Sequence, residues 1–583
     1  MQGRILGSII FLATVLPSLS ILVKDHQQVQ RDSPRIETCS PLKNHQTYSS
    51  VEVAVGNPPQ YFNLVADTGS NSCIVKDCGC KQCPKAWGNC FTGPKQSKSF
   101  DLPLFKVMNS SKSQNLKQGD MAPAAIVMSF GSGQIAAQIA SDEVRIGEVK
   151  TYMEKGLLLM VNHALNLEGP FEGILGLGRP EVKESQENLT SEDPSSMVTV
   201  PGFFDNAHVQ RFSMCFNHQA DGVLGVNTPK QLNRMSSVGK LHWGLDFQGV
   251  SIGNKKMKVG FCDPSTKKPG METACGIIPD SGTTLIAGSE KHIGELFEAV
   301  CESWERCLTM HHELLKELKM MENSGITISG GSESSPFGLI HEDPEFLSTL
   351  VKRRFEEGSS KPLHEGSGVV KMEFSKQIPG DQSVPKSGQK GFELPPALTL
   401  QLLLEHCSGW IKEVDLNKEM PELNFHVAGA NGKTKELVIT PRNYVLAKAM
   451  DVEVPSVSNV YGIPLKTKKI QNQKVCMMAF SPTEFTTELN GDVWIMGTPL
   501  FYEYSAHYDR GDGIEKEVTM GFTHRSQEDC GRCQGHKIVR SHSLIWSDST
   551  RTNSSTSSGT GMDALKTLDK QPVTRKPFSR KSL

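Results

Sequence analysis

The 583-residue chain has no apolar run approaching the roughly 18–20 residues that a membrane-crossing helix needs. It also has little net charge: 62 Lys and Arg stand against 64 Asp and Glu, leaving −2. That balance excludes a strongly basic nucleic-acid binder, because neutralising phosphates takes concentrated Lys and Arg. The 52 Gly and 32 Pro follow no collagen-like period and favour turns, strands and loops over long helical bundles. The 17 His show no metal-ligand spacing, and His311-His312 reads as a solvated helix face. Neither a metal nor a cofactor is expected.

What is present points first to a compartment. Residues 1–20 read as a secretory signal: Arg4 supplies the charge, Ile5 to Val15 the short apolar run, and Ser18 and Ser20 the small residues suited to cleavage. The product is expected in the secretory pathway, extracellular or in an endolysosomal or vacuolar lumen, without a membrane anchor. Glycosylation is expected at Asn109, Asn188 and Asn553, each in an Asn-x-Ser/Thr triplet. An oxidising compartment permits disulfides among the 15 Cys, and the odd count leaves one thiol unpaired or bonded elsewhere. Cys73, Cys78, Cys80, Cys83 and Cys90 crowd one loop, where bridges are favoured over zinc but connectivity is not readable. Cys530-x-x-Cys533 reads as a local bridge.

Most of the chain is patterned as β-structure. Val51, Val53 and Val55 recur at period two before the turn Gly56-Asn57-Pro58-Pro59, and Phe62, Leu64 and Ala66 follow it. Short strands are expected at 125–130, 134–146, 157–161, 173–177, 241–252, 276–286, 423–427 and 493–496. One helical stretch is expected over Lys291 to Glu322. An inserted excursion at about 323–392 is rich in Ser, Gly, Pro and charge, with a short helix at 347–357. Lys352-Arg353-Arg354 within it reads as a charged loop, with a processing site as the alternative. From 524 to 583 the chain is Ser/Thr-rich, with eleven Lys or Arg against five Asp or Glu, and reads as a disordered basic tail.

Two short segments 213 positions apart share one pattern: Leu64-Val65-Ala66-Asp67-Thr68-Gly69-Ser70 and Ile277-Ile278-Pro279-Asp280-Ser281-Gly282-Thr283. Each runs from an apolar strand into an acid, a hydroxyl residue, a glycine and a second hydroxyl residue. A single Asp-Thr-Gly often marks only a turn; two copies in one frame are much less easily accidental. Each copy has a later companion of two apolar residues and a glycine, Ile174-Leu175-Gly176 and Ile495-Met496-Gly497, where glycine lets one backbone pass close to another.

With these landmarks in order, the sequence resembles the pepsin-like aspartic proteases from about Thr47 to Thr523. The Gly56–Gln60 hairpin, a flap at 126–134, Phe212-Ser213, Phe501 and Tyr508-Asp509-Arg510 complete the match. The resemblance implies a mainly β, bilobal fold of two β-barrel-like lobes with an active-site cleft between them, and a long insertion in the C-terminal lobe. The implied divisions are a short N-terminal extension or pro-segment at 21–46, an N-terminal lobe at 47–225 and a C-terminal lobe at 226–523. It implies an endopeptidase in which Asp67 and Asp280 activate a water against peptide bonds, at acid pH and beside apolar side chains. Ser70 and Thr283 would bond the outer carboxylate oxygens, Thr68 and Ser281 would brace the loops, and Gly69 and Gly282 would let them approach. Polypeptides are the implied partners and a monomer the implied state. The alternative is a non-catalytic peptide- or protein-binding member of the same fold.

The sequence departs from the family at three points. Phe130 stands where a flap tyrosine is usual and Ile74 where its tryptophan partner is usual, so Phe130, Gly131, Ser132 and Ile74 imply a more apolar substrate pocket. Thr498 stands where an acidic residue is frequent. The extension before Thr47 is shorter than a usual pro-segment, though Lys24, Arg31, Arg35 and Lys43 supply positive charge. By position, Cys262–Cys275 and Cys407–Cys476 match two family disulfides.

Overall fold

A computed structural model describes residues 37–539 apart from 81, 107–118, 166–169, 180–199, 255–256, 324–393, 413, 461–462 and 512–516. Residues 1–540 form one unit. The second, Ser541–Leu583, lies outside the described residues, as do the signal segment, the inserted excursion with its expected helix, and Asn109, Asn188 and Asn553.

The expected alternation is realised at the start of the N-terminal lobe. Ser49–Val55 pairs antiparallel with Gln60–Asp67, and Val51, Val53, Val55, Phe62, Leu64 and Ala66 are all buried. At its end the chain passes through 68–72 and returns as Cys73–Lys76, with Gly173–Gly176 lying between the two arms. That central strand runs parallel to the first arm, placing Gly176 opposite Asp67, and antiparallel to the second. A methyl group on Gly176 would collide with the backbone of Asn71 and Ser72. Only glycine fits.

The C-terminal lobe repeats the construction. Cys275–Pro279 runs parallel to Gly491–Met496, which is antiparallel to Ile286–Gly288, so the loop at 280–285 wraps the strand that ends at Gly497. A methyl group on Gly497 would collide with the carbonyl oxygens of Thr283 and Leu285. Behind this loop the fully buried Trp494 packs among Phe247, Phe261 and Phe425.

The lobes share one 13-stranded sheet. Arg211–Cys215 pairs on one side with Gly222–Val226 and on the other with Tyr504–Asp509, which pairs in turn with Thr519–His524. Thr38–Asn44 pairs with both Gly222–Val226 and Ser49–Val55, so the sheet begins nine residues before the lobe boundary drawn at 47. Lys43 lies in this strand and donates to Asn63 Oδ1 at 2.7 Å. The tail boundary also moves. Arg532–Gln534 and Lys537–Val539 form a hairpin, and Cys530 and Cys533 do not bond each other but reach back to Cys215 and Cys39.

Of the 15 Cys, fourteen form seven disulfides and Cys73 is a buried free thiol. Cys262–Cys275 and Cys407–Cys476 are both present, and the crowded loop pairs Cys78 with Cys90 and Cys80 with Cys83. The expected single helix is two, Glu290–Ser303 and Glu305–Asn323. Trp304 breaks it in an extended conformation, its indole donating to Glu419 Oε1 at 3.2 Å, while Cys301–Cys307 staples the corner.

Gly176→Ala and Gly497→Ala should each destabilise the fold by about 2–3 kcal/mol, the cost of forcing side-chain volume into a closed contact. Denaturant unfolding measures this; midpoints unchanged from wild type would contradict the wrapped-loop geometry.

Candidate active site

Each wrapped loop delivers one carboxyl group. Leu177 N–H donates to the Asp67 carbonyl at 2.6 Å, and Asp280 N–H donates to the Met496 carbonyl at 2.9 Å, so each acid is fixed by its central strand. Within the loops, Gly69 N–H donates to Asp67 Oδ1 at 2.9 Å and Gly282 N–H to Asp280 Oδ1 at 2.8 Å. The other oxygens accept from hydroxyl groups, Asp67 Oδ2 from Ser70 and Asp280 Oδ2 from Thr283, the latter at 2.6 Å.

The loops then hold one another. Thr68 N–H donates to Ser281 Oγ and Ser281 N–H to Thr68 Oγ1, both at 3.0 Å. Thr68 Oγ1 donates to the Pro279 carbonyl at 3.0 Å, and Ser281 Oγ to the Ala66 carbonyl at 2.7 Å. Both side chains are fully buried, so all four bonds form away from water, where an unmade one would cost about 1–3 kcal/mol. A methyl group on Gly69 would lie 2.7 Å from the Asp280 carboxyl, and one on Gly282 would collide with the Asp67 carboxyl. Each glycine therefore lies directly against the opposite acid.

The Asp67 and Asp280 carboxyl groups lie within hydrogen-bonding reach of each other. Burial pushes Asp67 up to about 8, and the neighbouring charge of Asp280 adds to the rise, against the opposing pull of Ser70. Asp67 is buried and Asp280 only partly so, and the raised value belongs to a closely coupled pair of groups.

Around the acids, the structure brings together most residues singled out in sequence. Ile74 is fully buried in an apolar cluster with Trp87, Ile135, Leu158 and Phe171, and Phe130, at the end of the Ala125–Phe130 strand, packs against that cluster. Gly131 and Ser132 form the hairpin turn that follows. Thr498 is buried, its N–H donating to Thr283 O at 2.9 Å and its hydroxyl to Thr284 O at 2.8 Å, so it secures the second loop.

Two supports went unassigned in sequence. Trp243 donates from Nε1 to the Leu177 carbonyl at 2.9 Å and so steadies the residue that holds Asp67. Arg510 pairs with Asp205, whose other oxygen accepts from Asn71 Nδ2 at 3.4 Å in the first loop. A lone Trp carries no recognisable sequence signal; Arg510 was visible only as part of Tyr508-Asp509-Arg510.

The sequence model of the family described as eukaryotic aspartyl protease matches residues 48–516. The chain belongs to that family. Among curated relatives of this aspartyl protease, aspartic proteinase oryzasin-1 of Oryza sativa subsp. japonica is 27% identical over 504 residues, covering 79% of this chain and 81% of the relative. Cyprosin of Cynara cardunculus is 22% identical, covering 79% and 87%. Cathepsin D of Chionodraco hamatus is 24% identical, covering 48% of this chain and 65% of the relative. Among the described residues no helix is long and apolar enough to cross a membrane.

The raised Asp67 sets a pH dependence of stability. An unfolded aspartic acid titrates near about 3.9, so the favourable contribution of protonated Asp67 is complete below that value and is lost as pH rises toward about 8. Asp67→Asn should therefore gain stability relative to wild type between pH 4.5 and pH 7.5 in urea unfolding. A constant difference across that range would show that Asp67 is not held protonated.

Proposed function

We propose that this protein is an aspartic endopeptidase that hydrolyses polypeptides by activating water between Asp67 and Asp280. The supporting observation is the pair of carboxyl groups pressed together by reciprocally bonded loops, which cannot both ionise cheaply and so share a proton. The ionised acid takes a proton from water as it attacks the peptide carbonyl, and the protonated acid donates to the carbonyl oxygen. The greater burial of Asp67 supports the donor role for it and the base role for Asp280. Acid pH favours that singly protonated state.

The apolar cluster under Phe130 favours substrates with apolar side chains beside the scissile bond. Phe130 and Ile74 replace a polar flap pair without leaving a buried donor unmatched, which favours an active flap over a disabled one. Seven disulfides fit a secretory or lumenal location, as do the signal-like residues 1–20 and the three glycosylation triplets.

Asp67→Asn and Asp280→Asn should each lower peptidase turnover on an unstructured protein at acid pH by at least about a thousandfold. Both variants should fold. Wild-type turnover should be blocked by pepstatin, a peptide that mimics the transition state. Pepstatin binding without turnover by wild type would instead establish a peptide-binding protein, and turnover surviving in either variant would refute the dyad assignment.

A further inference from the structure

The stretch that carries the chain into the first lobe is fastened at both ends. Thr38–Asn44 pairs with Gly222–Val226 from Thr38 to Leu42, and with Ser49–Val55 only from Leu42 onward. Among the described residues no strand pairs with its other edge over Thr38 to Pro41. The hairpin of Arg532–Gln534 and Lys537–Val539 covers that edge instead. Its His536 carbonyl accepts from Cys39 N–H at 3.0 Å and from Thr38 Oγ1 at 3.2 Å. A hairpin with three residues in each strand is marginal by itself. The Cys39–Cys533 bridge ties it to the strand it covers.

At its other end the stretch reaches the second acid. Thr284 Oγ1 donates to the Thr47 carbonyl at 2.7 Å, and the Tyr502 hydroxyl donates to the Gln46 carbonyl at 3.2 Å. Thr284 follows Thr283, whose hydroxyl holds Asp280 Oδ2. The two bridges of the C-terminal hairpin differ in access. Cys215 and Cys530 are both buried, whereas Cys533 is half-buried between the exposed Arg532 and Gln534. A thiolate must reach a sulfur to exchange with it, so of these two Cys39–Cys533 is the one open to attack.

We propose that residues 38–47 form a redox-held strap: the intact Cys39–Cys533 bridge keeps Thr47 against Thr284, and a small dithiol reductant releases it. In the exchange a thiolate of the reductant attacks the Cys533 sulfur, and Cys39 leaves as a thiolate that takes up a proton. The second thiol of the reductant loses its proton, closes the reductant's own disulfide and frees Cys533 as a thiol. Two electrons pass to the protein in all. Without the bridge the hairpin lifts, the edge over Thr38 to Pro41 opens, and Thr284 loses its acceptor. The effect on turnover rests on the peptidase reading; the opening of the strap does not.

The test treats the full-length protein with graded dithiothreitol, maps freed thiols by alkylation and follows backbone amide exchange. Cys39 and Cys533 should be labelled before Cys215 and Cys530. Exchange over Thr38–Asn44 should then quicken by about tenfold or more, while Gln60–Asp67 stays unchanged. Turnover should fall about five- to tenfold at the same reductant concentration. Cys39→Ser combined with Cys533→Ser should show both changes without reductant. Thr284→Val, which removes the donor to Thr47, should start at the lowered turnover and lose no more on reduction. Labelling in the opposite order would overturn the proposal. So would reduction of Cys39–Cys533 that leaves exchange or, in an active protein, turnover unchanged, or a loss on reduction that Thr284→Val retains in full. Quickened exchange in a protein that cleaves nothing would keep the strap and sink the peptidase reading.

Discussion

Everything at the centre of this molecule depends on two loops that each complete the other. Thr68 and Ser281 exchange main-chain donors for side-chain acceptors in both directions, and each also caps a carbonyl on the strand opposite its own. Neither loop satisfies its buried polar atoms alone. The lobes are therefore joined here by buried polar bonds, in surroundings dry enough that separation would strand donors and acceptors together. The same closure brings two carboxyl groups together, and the raised Asp67 follows from its burial first and the neighbouring charge of Asp280 second.

That arrangement makes stability and chemistry draw on one set of contacts. The glycines at 69 and 282 are required because each backbone lies against the opposite acid, and those at 176 and 497 because each loop wraps tightly round its own strand. Aromatic packing beneath, from Phe212, Trp243 and Tyr508, supplies a rigid floor, with the Trp243 indole fixing Leu177 and, through it, the main chain of Asp67. Positioning is thus inherited from packed sheet rather than from mobile loops.

Much of this was legible in the sequence, because the determining features are local. Period-two apolar residues announced the strands on either side of Gly56, and a twice-repeated acid–hydroxyl–glycine frame announced both loops. Features set by distant partners were not legible. Thr38–Asn44 looked like an extension because its pairing strand, Gly222–Val226, is far along the chain. Cys530 and Cys533 looked like a local pair because spacing says nothing about Cys215 and Cys39. The break at Trp304 was hidden because helical periodicity continues across it and only the tertiary bond to Glu419 and the staple at Cys301–Cys307 reveal the corner. The long hairpin Val445–Val460 with Ile463–Met478 escaped notice because Pro455 and the lysines at 466, 468, 469 and 474 weaken its strand pattern.

The shared sheet has a consequence for synthesis. Its row of strands sets Arg211–Cys215, from the first half of the chain, against Tyr504–Asp509, near the end of the described residues. A nascent polypeptide carrying only the first lobe lacks that neighbour, the second acid and the serine that bonds Thr68. The ribosome must therefore deliver nearly the whole molecule before Thr68 and Ser281 can close the two loops on each other and set Asp67 beside Asp280.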